Sequence, residues 1–243
     1  ESGWDVKKLC KLMVMSATYR QDSKANPLQQ EVDRENRLLS HAPSVRMSAE
    51  MIRDNALAAS GLLNRKIGGK SVKPYQPEGL WEINNTRYKQ DTGDEVYRRS
   101  LYVLVKRSVP NPTLATFDAT SRSYCVARRQ NTNTPLQALV MMNDPTFVEA
   151  AVAMGEQISN EADQKNAIVE MYRRMTSRSP SDEELKLLEQ LRQKELNKFR
   201  TNPRNARGWL KAGQYEVANS PDPAIVAANA VVASVILNSD ATI

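Results

Sequence analysis

Two proline-bearing helix starts, Thr134-Pro135-Leu136-Gln137 and Asn143-Asp144-Pro145, constrain this chain more than any other stretch. In the first, the Thr134 hydroxyl takes an orphan N–H of the opening turn. Pro135 gives up nothing at the first helical position, and Gln137 reaches back to the cap backbone. In the second, Asp144 is the cap and Pro145 the first turn. One short helix therefore ends where another begins, inside the run TFDATSRSYCVARRQNTNTPLQALVMMNDPTFVEA at 116–150. The approach to this corner carries Asp118, Ser121, Arg122, Arg128, Arg129, Asn131, Thr132 and Asn133 and little apolar content. Such a segment lies over a scaffold that positions it.

Helical periodicity runs through most of the remaining chain. Val6, Leu9, Cys10, Met13 and Ala17 form a stripe over 5–19, followed by a polar break at 23–27, a charged segment at 31–37 and a turn at His41 and Pro43. Ser48 caps a helix expected to reach Asn64, with Ile52, Ala56, Ala59 and Leu63 inward and Gly68-Gly69 beyond its end. Pro74, Pro77, Gly79 and Gly93 punctuate a long irregular loop over about 66–96, with room for a short hairpin. The LYVLV segment suits a strand as well as a helix, and a helix is expected over 97–109. Stripes on Phe147, Ala150, Ala151, Met154 and Ile158, and on Ala167, Ile168, Met171, Tyr172 and Met175, predict two more helices. A capping box at Ser181–Glu184 opens another, ending near Arg200. A polar connector with Trp209 follows over about 201–221, and Asp222-Pro223 starts a last helix, AIVAANAVVASVILN, apolar almost all round. That helix is short of the roughly 20 residues a membrane span needs and belongs in a core. The expectation is a mainly α chain, a single helical domain over 1–243 with a long loop region.

The stretch FDATSRSYCVARRQNTNTPLQALVMMNDPTFVEAA resembles a motif of a bacterial family known as domain of unknown function fifteen fifty-three, the first planctomycete-specific domain. Further stretches agree: LMVMSATYRQ at 12–21, ENRLLSHAPSVRMSAEMIRDNAL at 35–57, SVKPYQPEGLWE at 71–82, and YRRSLYVLVKRSVPNPTLATFDA at 97–119. The likeness is strong over about 1–150 and looser at the ANAVVASVILNSDAT ending. It implies the C-terminal part of a large cytochrome-c-associated protein of planctomycete type, secreted or periplasmic. It transfers no catalytic residue. The abrupt opening, Glu1-Ser2-Gly3-Trp4, reads as the interior of such a longer protein.

Several chemistries are poorly supplied. With one His, two separated Cys and no C-x-x-C-H, the chain holds neither a Cys/His zinc site nor a covalent haem site. No cofactor is expected here, and any haem c belongs elsewhere in the parent protein. His41 alone could ligate haem axially, against a plain turn histidine. Asp91, Asp94 and Glu95 could hold calcium, against solvated loop charges. Cys10 and Cys125 either pair or are buried thiols, the second being favoured. Cys125 stands near Arg122, Arg128 and Arg129, which could favour thiolate, against the favoured reading of a half-buried small residue. Glycoside hydrolysis would need two of Asp118, Glu78, Glu82 and Asp144 to face one another, although Asp144 is also a helix cap and Asp118 suits an Asx-turn.

A formal charge of +6 and an isoelectric point near 9.3 suit an anionic partner. Basic residues come only in pairs, so nucleic acid is not expected, and no apolar run approaches the roughly 20 residues of a membrane span. The candidate ligand-binding set is Arg98, Arg99, Asp118, Arg122, Arg128, Arg129, Asn131 and Asn133, since guanidinium groups grip phosphate, sulfate or carboxylate bidentately. The competing reading has these arginines tying the loop to carbonyls and internal carboxylates. Tyr75, Trp81, Tyr88, Tyr97 and Tyr102 likewise either stack on a sugar or anchor the loop. Three functions follow. One is an accessory module binding an anion, an acidic saccharide or a neighbouring domain of the parent through the 75–133 surface. The others are a hydrolase of glycans or sulfated polymers, and a purely structural docking domain.

Overall fold

The computed structural model describes residues 3–82, 87–217 and 222–243. The chain is mainly α-helical, and its contacts divide it into two compact units, one ending at Arg46 and one running from Met47 to Ile243.

The first unit holds helices α1 (Val6–Val14) and α2 (Pro27–Val32). Asp5 caps α1 by accepting from the Lys8 amide at 3.0 Å. A complete capping box between Asn26 and Gln29 opens α2, inside what periodicity had read as polar break and charged segment. The unit is tied by side chains to backbone rather than by a core. Gln29 donates to the Ser40 carbonyl at 2.7 Å, Asn36 to that of His41 at 2.7 Å, and Asp33 accepts from the amides of Arg37 and Leu38. The α1 stripe stays exposed, with Val6 at 67% and Leu9 at 53%.

In the second unit, α6 (Pro145–Gln157) and α10 (Pro223–Leu237) form the centre, as their nearly continuous apolar surface requires. They cross at Gly155, where a Cβ would lie 2.6 Å from the Ala230 amide nitrogen and 2.8 Å from the Val226 carbonyl. The buried Asn229 marks the same crossing. It donates to the Gly155 carbonyl at 3.3 Å and accepts from Arg192 at 2.7 Å. Around this pair lie α3 (Ala49–Ala59), α4 (Pro112–Thr116), α5 (Pro135–Asn143), α7 (Gln164–Thr176), α8 (Asp182–Thr201) and α9 (Pro203–Leu210). Ile52, Phe147, Met154, Ile168, Met171, Leu188 and Ile236 share one core, with Phe117 edge-on to Phe147 at 6.2 Å.

Four sequence expectations are corrected here. Helix α3 stops at Ala59 rather than Asn64, because the buried Ser60 bonds back to the Leu57 carbonyl and Gly61 turns the chain at φ 78°. Residues 97–109 are not a helix. Two 3₁₀ turns, Gly93–Tyr97 and Ser100–Tyr102, lead into extended chain. Among the described residues the loop makes no hairpin, only isolated parallel bridges, Asn64 to Arg98 and Val72 to Val103. The connector contains α9, which seats Ala206 and Trp209 against the apolar surface of α10.

The loop is held from beneath by buried arginines. Arg53, on α3, donates to the Val96 carbonyl at 2.6 Å and to the Arg98 carbonyl at 2.8 Å. Burial pulls its pKa below the ordinary arginine value. These carbonyls would otherwise be orphaned inside the protein, and a charged donor satisfies them more strongly than a neutral one.

Candidate functional site

Gln137 fixes the segment that joins α4 to α5. Almost fully buried, it completes the capping box through the Thr134 amide at 3.1 Å, and its Nε2 donates to the Thr116 carbonyl at 2.8 Å and to the Thr132 hydroxyl at 3.1 Å. Asp118, in the left-handed region at φ 63°, accepts from the Thr132 amide at 2.7 Å and its hydroxyl at 2.8 Å. Both ends of the segment are thereby pinned together, and 122–131 stands out as an exposed loop bearing Arg122, Tyr124, Val126, Arg128 and Arg129.

Arg129 ties this loop to α3. Its guanidinium grips Glu50 bidentately at 2.6 and 3.0 Å, in the first turn of that helix where a carboxylate also suits the dipole. Partial burial pushes the Glu50 carboxyl up, but the Arg129 hydrogen bonds and charge outweigh it and hold the pKa below the ordinary value. The pairing is therefore complete above about pH 4.3, the free glutamate value, and is lost as pH falls through the lowered one. An exposed pair of this kind adds at most about 1 kcal/mol. Acidification from pH 6 to 3 should lower the amide protection factors in 122–131, which correct for the intrinsic slowing of exchange in acid, while Arg129→Ala should show the lower protection already at pH 6 and converge with the wild type as the pair is lost.

Between the loop and α3 runs a groove of about 930 Å3. Met51, Ala58, Leu63 and Leu101 contribute its apolar surface, and Arg99, Arg122 and Arg129 its cations. Its two acids are already engaged: Glu50 by Arg129, and Asp54 by the Ser100 amide at 2.8 Å. Arg99 and Arg122 are exposed and have no acidic partner among the described residues. The loop lines a second hollow, of about 310 Å3, with Asp118, Tyr124, Val126, Arg128 and Arg129.

The sequence-derived set thus separates. Arg99, Arg122 and Arg129 share the groove, while Asp118, Arg128 and Arg129 share the adjoining hollow. Asn131 and Asn133 are exposed beside them. Arg98 goes elsewhere: 1% exposed, it donates to the carbonyls of Lys66, Gly68 and Lys70 and stacks on Tyr102 at 4.0 Å. Its guanidinium holds loop backbone. The aromatic residues also anchor. Tyr102 accepts from the Gly68 amide, Tyr88 donates to the Pro74 carbonyl, and Trp81 packs edge-on to Tyr88 at 5.1 Å under Lys106.

Cys10 and Cys125 are exposed free thiols, contrary to the expectation of burial, since each lies on a segment with nothing packed over it. The Asp144 carboxylate caps α6 through the Thr146 amide at 2.8 Å and accepts from the Thr113 hydroxyl. Glu95, one of the three loop acids, lies 3.5 Å from Lys66 and 3.6 Å from Arg98, and Asp91 accepts from the Lys73 amide. Among the described residues no three His, Cys, Asp or Glu side chains gather in a metal-binding group. None of their helices is long and apolar enough to cross a membrane.

Sequence reasoning missed Glu149. Fully buried in α6, it accepts at one carboxylate oxygen from the hydroxyls of Tyr75 (2.7 Å) and Tyr97 (3.2 Å) and from the amides of Gln214 and Tyr215 (2.7 Å). Its other oxygen is buried without a hydrogen bond. Burial, the larger influence, pushes its pKa up against these donors. The signal was a lone carboxylate inside the apolar run FVEAAVAM.

No curated protein and no solved structure matches the chain. Residues 1–192 match the model of PSD1, described as a protein of unknown function (DUF1553). On a match covering most of its length, the chain belongs to the PSD1 family.

Proposed function

We propose that this chain is a non-catalytic binding module that takes a carboxylated or sulfated ligand, such as an acidic saccharide, in the groove between α3 and the 122–131 loop. One observation carries the reading. Arg99 and Arg122 line a single concavity whose acids are engaged, Glu50 by Arg129 and Asp54 by the Arg53 guanidinium and the Ser100 amide, and neither Arg99 nor Arg122 has an acidic partner among the described residues. A purely structural role would have these arginines in internal pairs, as Arg98 is. A hydrolytic role finds less support, since Asp118 and Asp144 each hold local backbone. Placement at the C-terminal end of an exported, cytochrome-c-associated protein, with its other domains as neighbours, follows from the family resemblance and completes the proposal.

Thermal stability should rise in a saturable way with sulfate and with a sulfated or uronic-acid oligosaccharide, by RT ln(1 + [L]/Kd). In Arg99→Ala/Arg122→Ala that rise should vanish while the melting temperature without ligand stays within a few degrees of wild type. Equal stabilisation of both proteins would contradict the assignment.

A further inference from the structure

The anion groove holds a third guanidinium that is already in use. Arg129 lines its wall together with Arg99 and Arg122, and lines the adjoining hollow as well. Its side chain is 42% exposed, so the fork can be reached from solvent. What occupies that fork is a carboxylate of the same groove: Glu50 accepts from Nη1 at 2.6 Å and from Nη2 at 3.0 Å. Bidentate grip on a planar, two-oxygen anion is also what a guanidinium offers an acidic ligand. Glu50 thus stands in the groove as an internal counterpart of the ligand's own acid.

The pair can open at little cost. The Glu50 side chain is 31% exposed, and exposed pairs contribute little to stability, so exchanging one carboxylate for another on Arg129 is nearly balanced. Two features hold the rest of the site in place during such an exchange. Glu50 lies in the first turn of α3, just behind the Ser48 cap, where the helix dipole favours a carboxylate that has lost its partner. The 122–131 loop stays pinned at its base, because Asp118 accepts from the Thr132 amide and hydroxyl independently of Arg129. Asp54, the other acid of the groove, is answered by Arg53 at 3.7 Å and by the Ser100 amide at 2.8 Å. Glu50 is therefore the acid that an anion drawn in by Arg99 and Arg122 has to displace.

We propose that Glu50 is an autoinhibitory stand-in for the ligand, and that Arg129 becomes a third gripping guanidinium when a ligand carboxylate takes over its fork. The inference rests on the anion-groove reading and narrows its ligand class. A uronic-acid oligosaccharide, with a carboxylate on each unit, suits the exchange: one acid meets Arg99 and Arg122 while another displaces Glu50.

Calorimetric titration of the full chain with oligogalacturonate tests this. Glu50→Gln should bind about three- to fivefold more tightly than the wild type, the change that an exposed ion pair of this kind is worth. Adding Arg129→Lys to Glu50→Gln keeps the charge but loses the fork, and most of the gain should disappear. Glu50→Ala repeats the first test should Glu50→Gln fold poorly. Were the pair only a tie that shapes the loop, removing Glu50 would weaken binding instead. Equal or weaker binding by the folded Glu50 variants, or a gain kept in full by the lysine double variant, overturns the inference. The anion groove itself still stands in that case if Arg99→Ala lowers affinity in the same titration. No saturable binding by the wild type or any variant overturns both.

Discussion

Gly155→Ala should destabilise the second unit by about 3 kcal/mol, although alanine improves the helix propensity of the position by about 1 kcal/mol. The added methyl would stand 2.6 Å from a backbone nitrogen of α10 and 2.8 Å from a backbone oxygen. Neither atom can rotate away as a side-chain tip could, so the two central helices must separate. Separation loosens Asn229, which spans the crossing through the Gly155 carbonyl. Chemical denaturation of wild type and variant measures the loss, and an unchanged midpoint would show that the crossing is wider than the structure has it. At a surface helix the same substitution would stabilise, which makes its sign as informative as its size.

Glu149→Leu should cost more than 3 kcal/mol, because it strands several buried donors at once: two tyrosine hydroxyls and the amides of Gln214 and Tyr215. Glu149→Gln keeps an acceptor for them and removes the charge. It should therefore behave as the protonated carboxyl does, and pH separates the two. The folded-state pKa of Glu149 lies above its unfolded value, so the wild type is most stable where the carboxyl is protonated in both states. Stability falls as pH rises from about 4.3, the unfolded value, through the raised folded one. Relative to Glu149→Gln, the wild type should lose stability over that interval and hold level above it. Denaturation midpoints from pH 4 to 8 read this directly, and parallel curves would mean that the four donors fully offset burial.

Local signals were legible in the sequence and long-range ones were not. The capping boxes at Thr134 and Ser181 and the caps at Asp144 and Asp222 needed only neighbouring residues, and all four open helices. Helix α2 had the same signal in Asn26-Pro27-Leu28-Gln29, hidden within a polar stretch. Residues 97–109 went the other way. Their preference between helix and strand was overridden when Arg53, more than forty positions earlier, claimed the carbonyls of Val96 and Arg98. The exposure of the α1 stripe is likewise a tertiary outcome that periodicity does not carry.

The arginines divide for the same reason. Arg98 and Arg99 are adjacent and chemically identical, yet one is sealed beneath the loop and the other opens into the groove. Sequence treated the two arginines alike, while the fold decides which guanidinium stays accessible. Glu149 illustrates the converse: its oddity inside an apolar helix was visible, but two of its donors come from residues 214 and 215 and two from the loop.

The central claim is that Arg99 and Arg122 jointly hold an anionic ligand, and calorimetric titration of a sulfated oligosaccharide tests it most directly. The wild-type chain should bind saturably, and more weakly at 200 mM than at 50 mM salt, because the contact is charged and partly exposed. Arg99→Ala and Arg122→Ala should each weaken binding at least tenfold, whereas Arg98→Ala should chiefly lower stability. Binding unaffected by either groove substitution, or no heat at all with folded wild type, would contradict the claim.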